Sequence, residues 1–95
     1  MHMGGQIIIT GTISCLPADL DLLLSALPDH VSLTRSERGC LTFSIEQSSV
    51  DPCVFDVSER FVDQAAFELH TQRTRASDWW QKTNHMPRNI SINKP

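Results

Sequence analysis

The spacing of apolar positions switches between two periods along this chain, and each switch marks an element. From Gln6 to Ser14, Ile7, Ile8, Ile9 and Ile13 surround Thr10 and Thr12. β-branched residues on both sides of the run predict a strand covered on two faces. Gly11 inside it marks a bulge or a close backbone approach. Leu20, Leu23, Leu24, Leu27 and Val31 then recur at helical spacing and predict one apolar helix face. Pro17 suits the first turn of that helix, and Asp19 and Asp21 favour its dipole. Pro28 lacks the amide hydrogen that the ladder needs, so it is expected to kink or interrupt the helix. Gly39 reads as the stop or turn residue that follows.

The second strand, Cys40 to Gln47, alternates: Leu41, Phe43 and Ile45 share one face, and Thr42, Ser44 and Glu46 the other. Pro52 excludes a regular central strand in the connection. The third strand, Cys53 to Phe61, sets Cys53, Phe55, Val57, Glu59 and Phe61 on one side, which leaves Glu59 as a carboxylate on an apolar face. Asp63 is an N-cap, with Val62 and Phe67 at the positions of a hydrophobic staple. A helix from Ala65 to Thr71 and another from about Arg75 to Thr83 follow; Asn84 and Pro87 end the second. Arg88 to Lys94 alternates Ile90 and Ile92 with Asn89, Ser91 and Asn93, a last strand. The order β-α-β-β-α-(α)-β predicts a ferredoxin-like α+β fold, a four-stranded antiparallel sheet with its helices on one face. If the uncovered face is apolar, a second copy is its natural cover, and a homodimer results.

Composition narrows the function. Ninety-five residues make one domain, 1–95, small enough to gain stability from association. The net charge is −3 and the eight Lys and Arg are scattered, so the basic stripe that nucleic acid requires is missing. No apolar run is long enough for a membrane span and no signal peptide precedes the first strand, which makes cytoplasm the default. Cys15, Cys40 and Cys53 have no CxxC spacing and read as reduced, small core hydrophobes. The opening Met1-His2-Met3 has the look of a partial cloning scar and is set aside. The four histidines form no HxH or HExxH, so no metal site is expected, and there is no GxSxG elbow. Met3-Gly4-Gly5-Gln6 precedes a strand instead of following one, which excludes a phosphate cradle.

One stretch carries a family likeness. Thr34-Arg35-Ser36-Glu37-Arg38-Gly39-Cys40 enters the second strand, Glu59-Arg60-Phe61 closes the third, and Phe67 stands three residues before His70. In order and wording this resembles the antibiotic biosynthesis monooxygenase family, small dimeric α+β barrels that include quinol monooxygenases. The likeness runs from the first strand to the last. Members commonly have a tryptophan or similar aromatic where Phe61 stands; many carry a Thr-Pro-His-like segment where Arg73-Thr74-Arg75 stands, so a second histidine is absent here, and some have tyrosine where Trp79 stands. The resemblance implies sheet-to-sheet homodimers and a monooxygenase needing no metal, haem or flavin, in which a quinol or phenolic substrate itself reduces molecular oxygen.

Such chemistry needs a base for the phenolic proton, walls for a ring and a group that stabilises the anion. His70 is the catalytic candidate. Phe67, Trp79, Trp80, Arg75, Asn84 and Glu59 are the substrate-binding candidates. On an apolar face Glu59 is expected to find a hydrogen bond or an arginine, with a general base as the alternative. Arg73 and Arg75 read as solvated and His85 as a loop residue; His30, after Pro28, reads as a surface helix residue with a pocket group as the alternative. Trp79 and Trp80 point in different directions on a helix, so one at most faces the core fully. A haem-degrading relative would carry an asparagine in the first strand, where this chain has Gln6 and Thr10. An isomerase of a small hydroxy-carbonyl compound and a non-catalytic small-molecule-binding dimer are the alternatives on this scaffold.

Overall fold

The isoleucine-rich first strand becomes the middle of a sheet. In a computed structural model that describes residues 5–94, β1 (Ile7–Ser14) pairs antiparallel with both β3 (Val54–Phe61) and β4 (Arg88–Asn93). β2 (Cys40–Gln47) pairs antiparallel with the far side of β3, giving the order β2-β3-β1-β4. Between the strands run α1 (Leu20–Arg35), α2 (Gln64–Arg75) and α3 (Asp78–Thr83). This is the ferredoxin-like α+β arrangement that the sequence predicts. His2, in the segment set aside above, lies outside the described residues. Among the described residues no helix is long and apolar enough to cross a membrane.

Register explains which side carries the core. Phe43, Glu59, Ile9 and Ile92 form one cross-sheet row, and Ile45, Val57, Gly11 and Ile90 the next. Phe43, Ile45, Val57 and Ile9 are buried beneath the helices, while Ile90 and Ile92 on the edge strand stay exposed. The opposite face runs Thr42–Arg60–Ile8–Asn93, Ser44–Ser58–Thr10–Ser91 and Glu46–Asp56–Thr12–Asn89. Apart from Ile8, these rows are polar among the described residues.

Local corrections follow from packing. Pro28 does not interrupt α1, which runs unbroken with Pro28 on its exposed side. The buried face is Leu23, Ala26, His30 and Thr34, so Leu24 turns out to solvent and His30 is buried instead of lying on the surface. Packing of that face on the sheet holds the turns on both sides of the proline. A bulge between Cys40 and Thr42 breaks the alternation of β2, leaving Leu41 exposed beside buried Phe43 and Ile45. Asp63 caps α2 as expected, accepting from the Ala66 amide at 2.9 Å.

Two glycines mark close approaches. A Cβ on Gly11 would lie 2.1 Å from the Asn89 carbonyl oxygen on β4. Gly39 does more than end a helix, since α1 already stops at Arg35: a Cβ there would sit 2.2 Å from the Cβ of Ala66 on α2. Its missing side chain brings the α1–β2 loop against α2.

Candidate active site

A cavity of about 300 Å³ opens between the sheet and the helices. Its floor is Ile9, Ile13, Ile45 and Val57, and Ile90 and Ile92 of the uncovered edge strand line its side. The row across its middle has glycine on β1, so no β1 side chain rises between Ile9 and Ile13. Phe67, His70, Thr71 and Thr74 come from one face of α2, at the spacing that places them over one another. Trp79 and Trp80 enter from α3, and His30 from α1.

The chemistry concentrates at His70, which is buried. Its Nδ1 lies 3.0 and 3.2 Å from the two carboxylate oxygens of Glu37. A carboxylate only accepts, so Nδ1 carries the hydrogen and Nε2 keeps its lone pair as an acceptor. Glu37 sits in the loop after α1, where its amide donates to the Thr34 carbonyl at 3.0 Å. Arg73 clasps the same carboxylate through Nε, and its Nη2 donates to the Thr34 hydroxyl at 2.7 Å. On the other side of the ring, the Thr74 hydroxyl is 3.4 Å from Nε2 and a Glu59 oxygen is 3.7 Å away. Phe61 packs on the imidazole with ring centroids 4.7 Å apart.

Burial governs the protonation states. It pushes His70 below the usual histidine range, while the Glu37 charge and hydrogen bond pull it back up. It drives His30 down to about 3, with the Arg73 charge adding to the effect. Glu59 is pushed up to about 7, by burial first and by the Glu37 charge second. The site therefore holds two neutral imidazoles and a carboxyl that titrates near neutrality.

Of the candidates read from sequence, His70, Phe67, Trp79, Trp80, Arg75 and Glu59 all line the cavity. Asn84 does not: α3 ends at Thr83, and Asn84 is its exposed C-cap. Trp79 is buried and Trp80 half-buried, and both reach the cavity. Among the described residues no arginine pairs with Glu59; its oxygen instead lies 3.7 Å from Nε2 of His70. Arg73 is not solvated but half-buried against Glu37 and Thr34. Glu37 and Arg88 carried no role in the sequence reading. A lone acid between Arg35 and Arg38 reads as a solvated turn, and only the fold brings it to His70. Arg88 lies 5.1 Å from the Trp80 ring centroid and donates to the Thr83 carbonyl at 2.8 Å. Thr71 and Thr74 were legible, since they follow Phe67 and His70 at helical spacing.

The thiols stand apart from this chemistry: burial raises Cys15 and Cys40 away from the reactive thiolate form. Exposed His85 faces Asp19 at 3.1 Å. No cluster of His, Cys, Asp and Glu among the described residues could hold a metal ion.

The model of the antibiotic biosynthesis monooxygenase family matches residues 6–82, a span that runs from β1 into α3 and takes in the cavity residues other than Arg88, Ile90 and Ile92. The chain belongs to that family. No curated protein matches it significantly. Among solved structures, a Nitrosomonas europaea protein described provisionally as an antibiotic biosynthesis monooxygenase superposes with TM-score 0.84 at 19% identity, over 100% of this chain and 94% of its own. A Deinococcus radiodurans protein described in the same way gives 0.77 at 24%, covering 94% and 91%. Protein PA3566 of Pseudomonas aeruginosa gives 0.74 at 24%, covering 100% and 96%. At these identities the likeness shows a shared fold.

Proposed function

We propose that this family member is a cofactor-independent monooxygenase of small quinols or phenols, with His70 as its base. The observation that carries the reading is the Glu37–His70 contact: it favours the Nδ1–H tautomer and leaves Nε2, held only by a long 3.4 Å contact to the Thr74 hydroxyl, as the lone pair that can take a phenolic proton. Isoleucine, phenylalanine and tryptophan walls suit an aromatic ring, and a cavity of about 300 Å³ suits a small one. Proton transfer to His70 leaves an electron-rich phenolate beside an imidazolium flanked by Glu37 and Glu59. The phenolate supplies the electrons that oxygen needs. One oxygen atom ends on the ring, the other leaves as water, and phenol plus oxygen becomes quinone plus water.

Isotope-labelled oxygen tests this. One labelled atom in the quinone and one in water is expected, with the rate falling about 10²–10⁴-fold in His70→Ala. A product labelled only when the solvent is labelled would overturn the reading.

A second reading rests on Glu59. A carboxyl pushed up to about 7 and 3.7 Å from an imidazole can pass a proton between two carbons, as an isomerase of a hydroxy-carbonyl compound requires. Such turnover would consume no oxygen. The homodimer that the family resemblance implies is also a proposal; the sheet face available for it offers hydroxyls, amides and charges, so hydrogen bonds would carry much of the contact.

A further inference from the structure

His30 has no part in the reaction outlined above, yet it lies at the same cavity, 6.1 Å from His70 between ring centroids. It is only 4% exposed. Trp79 lies flat against it, with centroids 4.7 Å apart and planes 1° from parallel, and Phe43 meets it edge-on at 5.3 Å. Rings packed on two sides hold the imidazole in one orientation. Its Nδ1 is buried with no hydrogen-bond partner.

We propose that His30 is a second polar contact in this cavity, donating a hydrogen bond from Nε2 to one oxygen of a flat ring whose other oxygen engages His70. The ligand class is then an aromatic ring with two oxygen functions. The orphaned Nδ1 carries the argument. A buried N–H without an acceptor is costlier than a bare lone pair, so the hydrogen belongs on Nε2. His30 borders this cavity and a smaller one shared with Arg73 and Ser77; with Nδ1 sealed, we assign Nε2 to the larger. The ring stays neutral, in keeping with a value pushed down to about 3 by burial. The two histidines are thereby opposite in sense: His70 offers a lone pair and His30 a hydrogen. With rings 6.1 Å apart, one small molecule reaches both through hydrogen bonds of about 2.7–3.2 Å. This deepens the proposed function, since it rests on the cavity being the aromatic site.

Calorimetric titrations with hydroquinone and with phenol, without oxygen so that nothing turns over, test it on the full chain. Hydroquinone is expected to bind about 3- to 10-fold more tightly than phenol, the range of one hydrogen bond between neutral groups. His30→Phe keeps the stack on Trp79 and should abolish that preference while leaving phenol affinity within about twofold; His30→Gln, with an amide near the Nε2 position, should restore part of it. Ring-nitrogen NMR of the unaltered protein gives a readout that no failed variant can remove: an Nε2–H tautomer whose signal moves with hydroquinone and not with phenol. An Nδ1–H tautomer, an unmoved signal, or a preference that survives His30→Phe overturns the proposal. If the preference holds but oxygen is not consumed, the oxygenase reading fails alone; if oxygen is consumed without the preference, the His30 contact fails alone.

Discussion

At the scale of single residues, Glu37 sets both the tautomer and the basicity of His70, because it accepts the Nδ1 hydrogen and its charge favours the protonated ring. The sign of its removal follows. Burial lowers the histidine and Glu37 raises it, so Glu37→Gln should lower it further. A reaction that needs neutral His70 loses rate as pH falls through that value, and the acid limb of the pH–rate profile should therefore shift to lower pH in the variant. The maximal rate should fall at least about 10-fold, since the amide can also present its NH₂ group and select the wrong tautomer. Steady-state rates across pH check both effects; an acid limb that stays put or moves upward would mean that Glu37 does not act through His70.

Among the elements, α2 matters most to the site, since one face of it supplies Phe67, His70, Thr71 and Thr74. Its seat against the α1–β2 loop depends on Gly39, where a Cβ would sit 2.2 Å from the Cβ of Ala66. Gly39→Ala should cost about 1–3 kcal/mol, as overpacking does, and should loosen the Glu37–His70 contact that bridges the loop and the helix. Urea midpoints read the first effect and the His70 ring-nitrogen signals the second; an unchanged midpoint would contradict the account. Most of this level was legible in the sequence. Alternation in β3 and in β2 from Thr42 on, the Asp63 cap and the Phe67-to-His70 spacing all follow from local rules. What escaped was tertiary. The predicted face of α1 packs on the core through Leu20, Leu23, Leu27 and Val31, but Ala26, His30 and Thr34 are buried beside them and Leu24 is not, and the bulge that exposes Leu41 leaves no mark in the pattern. Glu37 and His70 are far apart in sequence, and no periodicity connects a loop acid to a helix imidazole.

For the whole molecule, burying Glu59 has a consequence for stability. Its folded value of about 7 stands above the ordinary carboxylate value of 4.5, so the folded state holds a proton that the unfolded state has released. Stability from this group is full below the unfolded value and is lost as pH rises through about 7. Glu59→Gln should therefore gain on the unaltered protein from about pH 5 to about pH 8, by roughly 3 kcal/mol; urea titrations across that window check it, and a gap that narrows with rising pH would contradict it. Sedimentation equilibrium reads the proposed homodimer, for which the expected mass is twice the 10.7 kDa of one chain; a monomer at all concentrations would dismiss it. The central claim, oxygen chemistry carried out by the substrate and the protein's own side chains, is met most directly by oxygen uptake. Flavin-free, metal-stripped protein is mixed with hydroquinones and naphthols, and each rate is corrected for autoxidation. The account predicts uptake that saturates with substrate and collapses in His70→Ala. Uptake no greater than the blank with every substrate would contradict it.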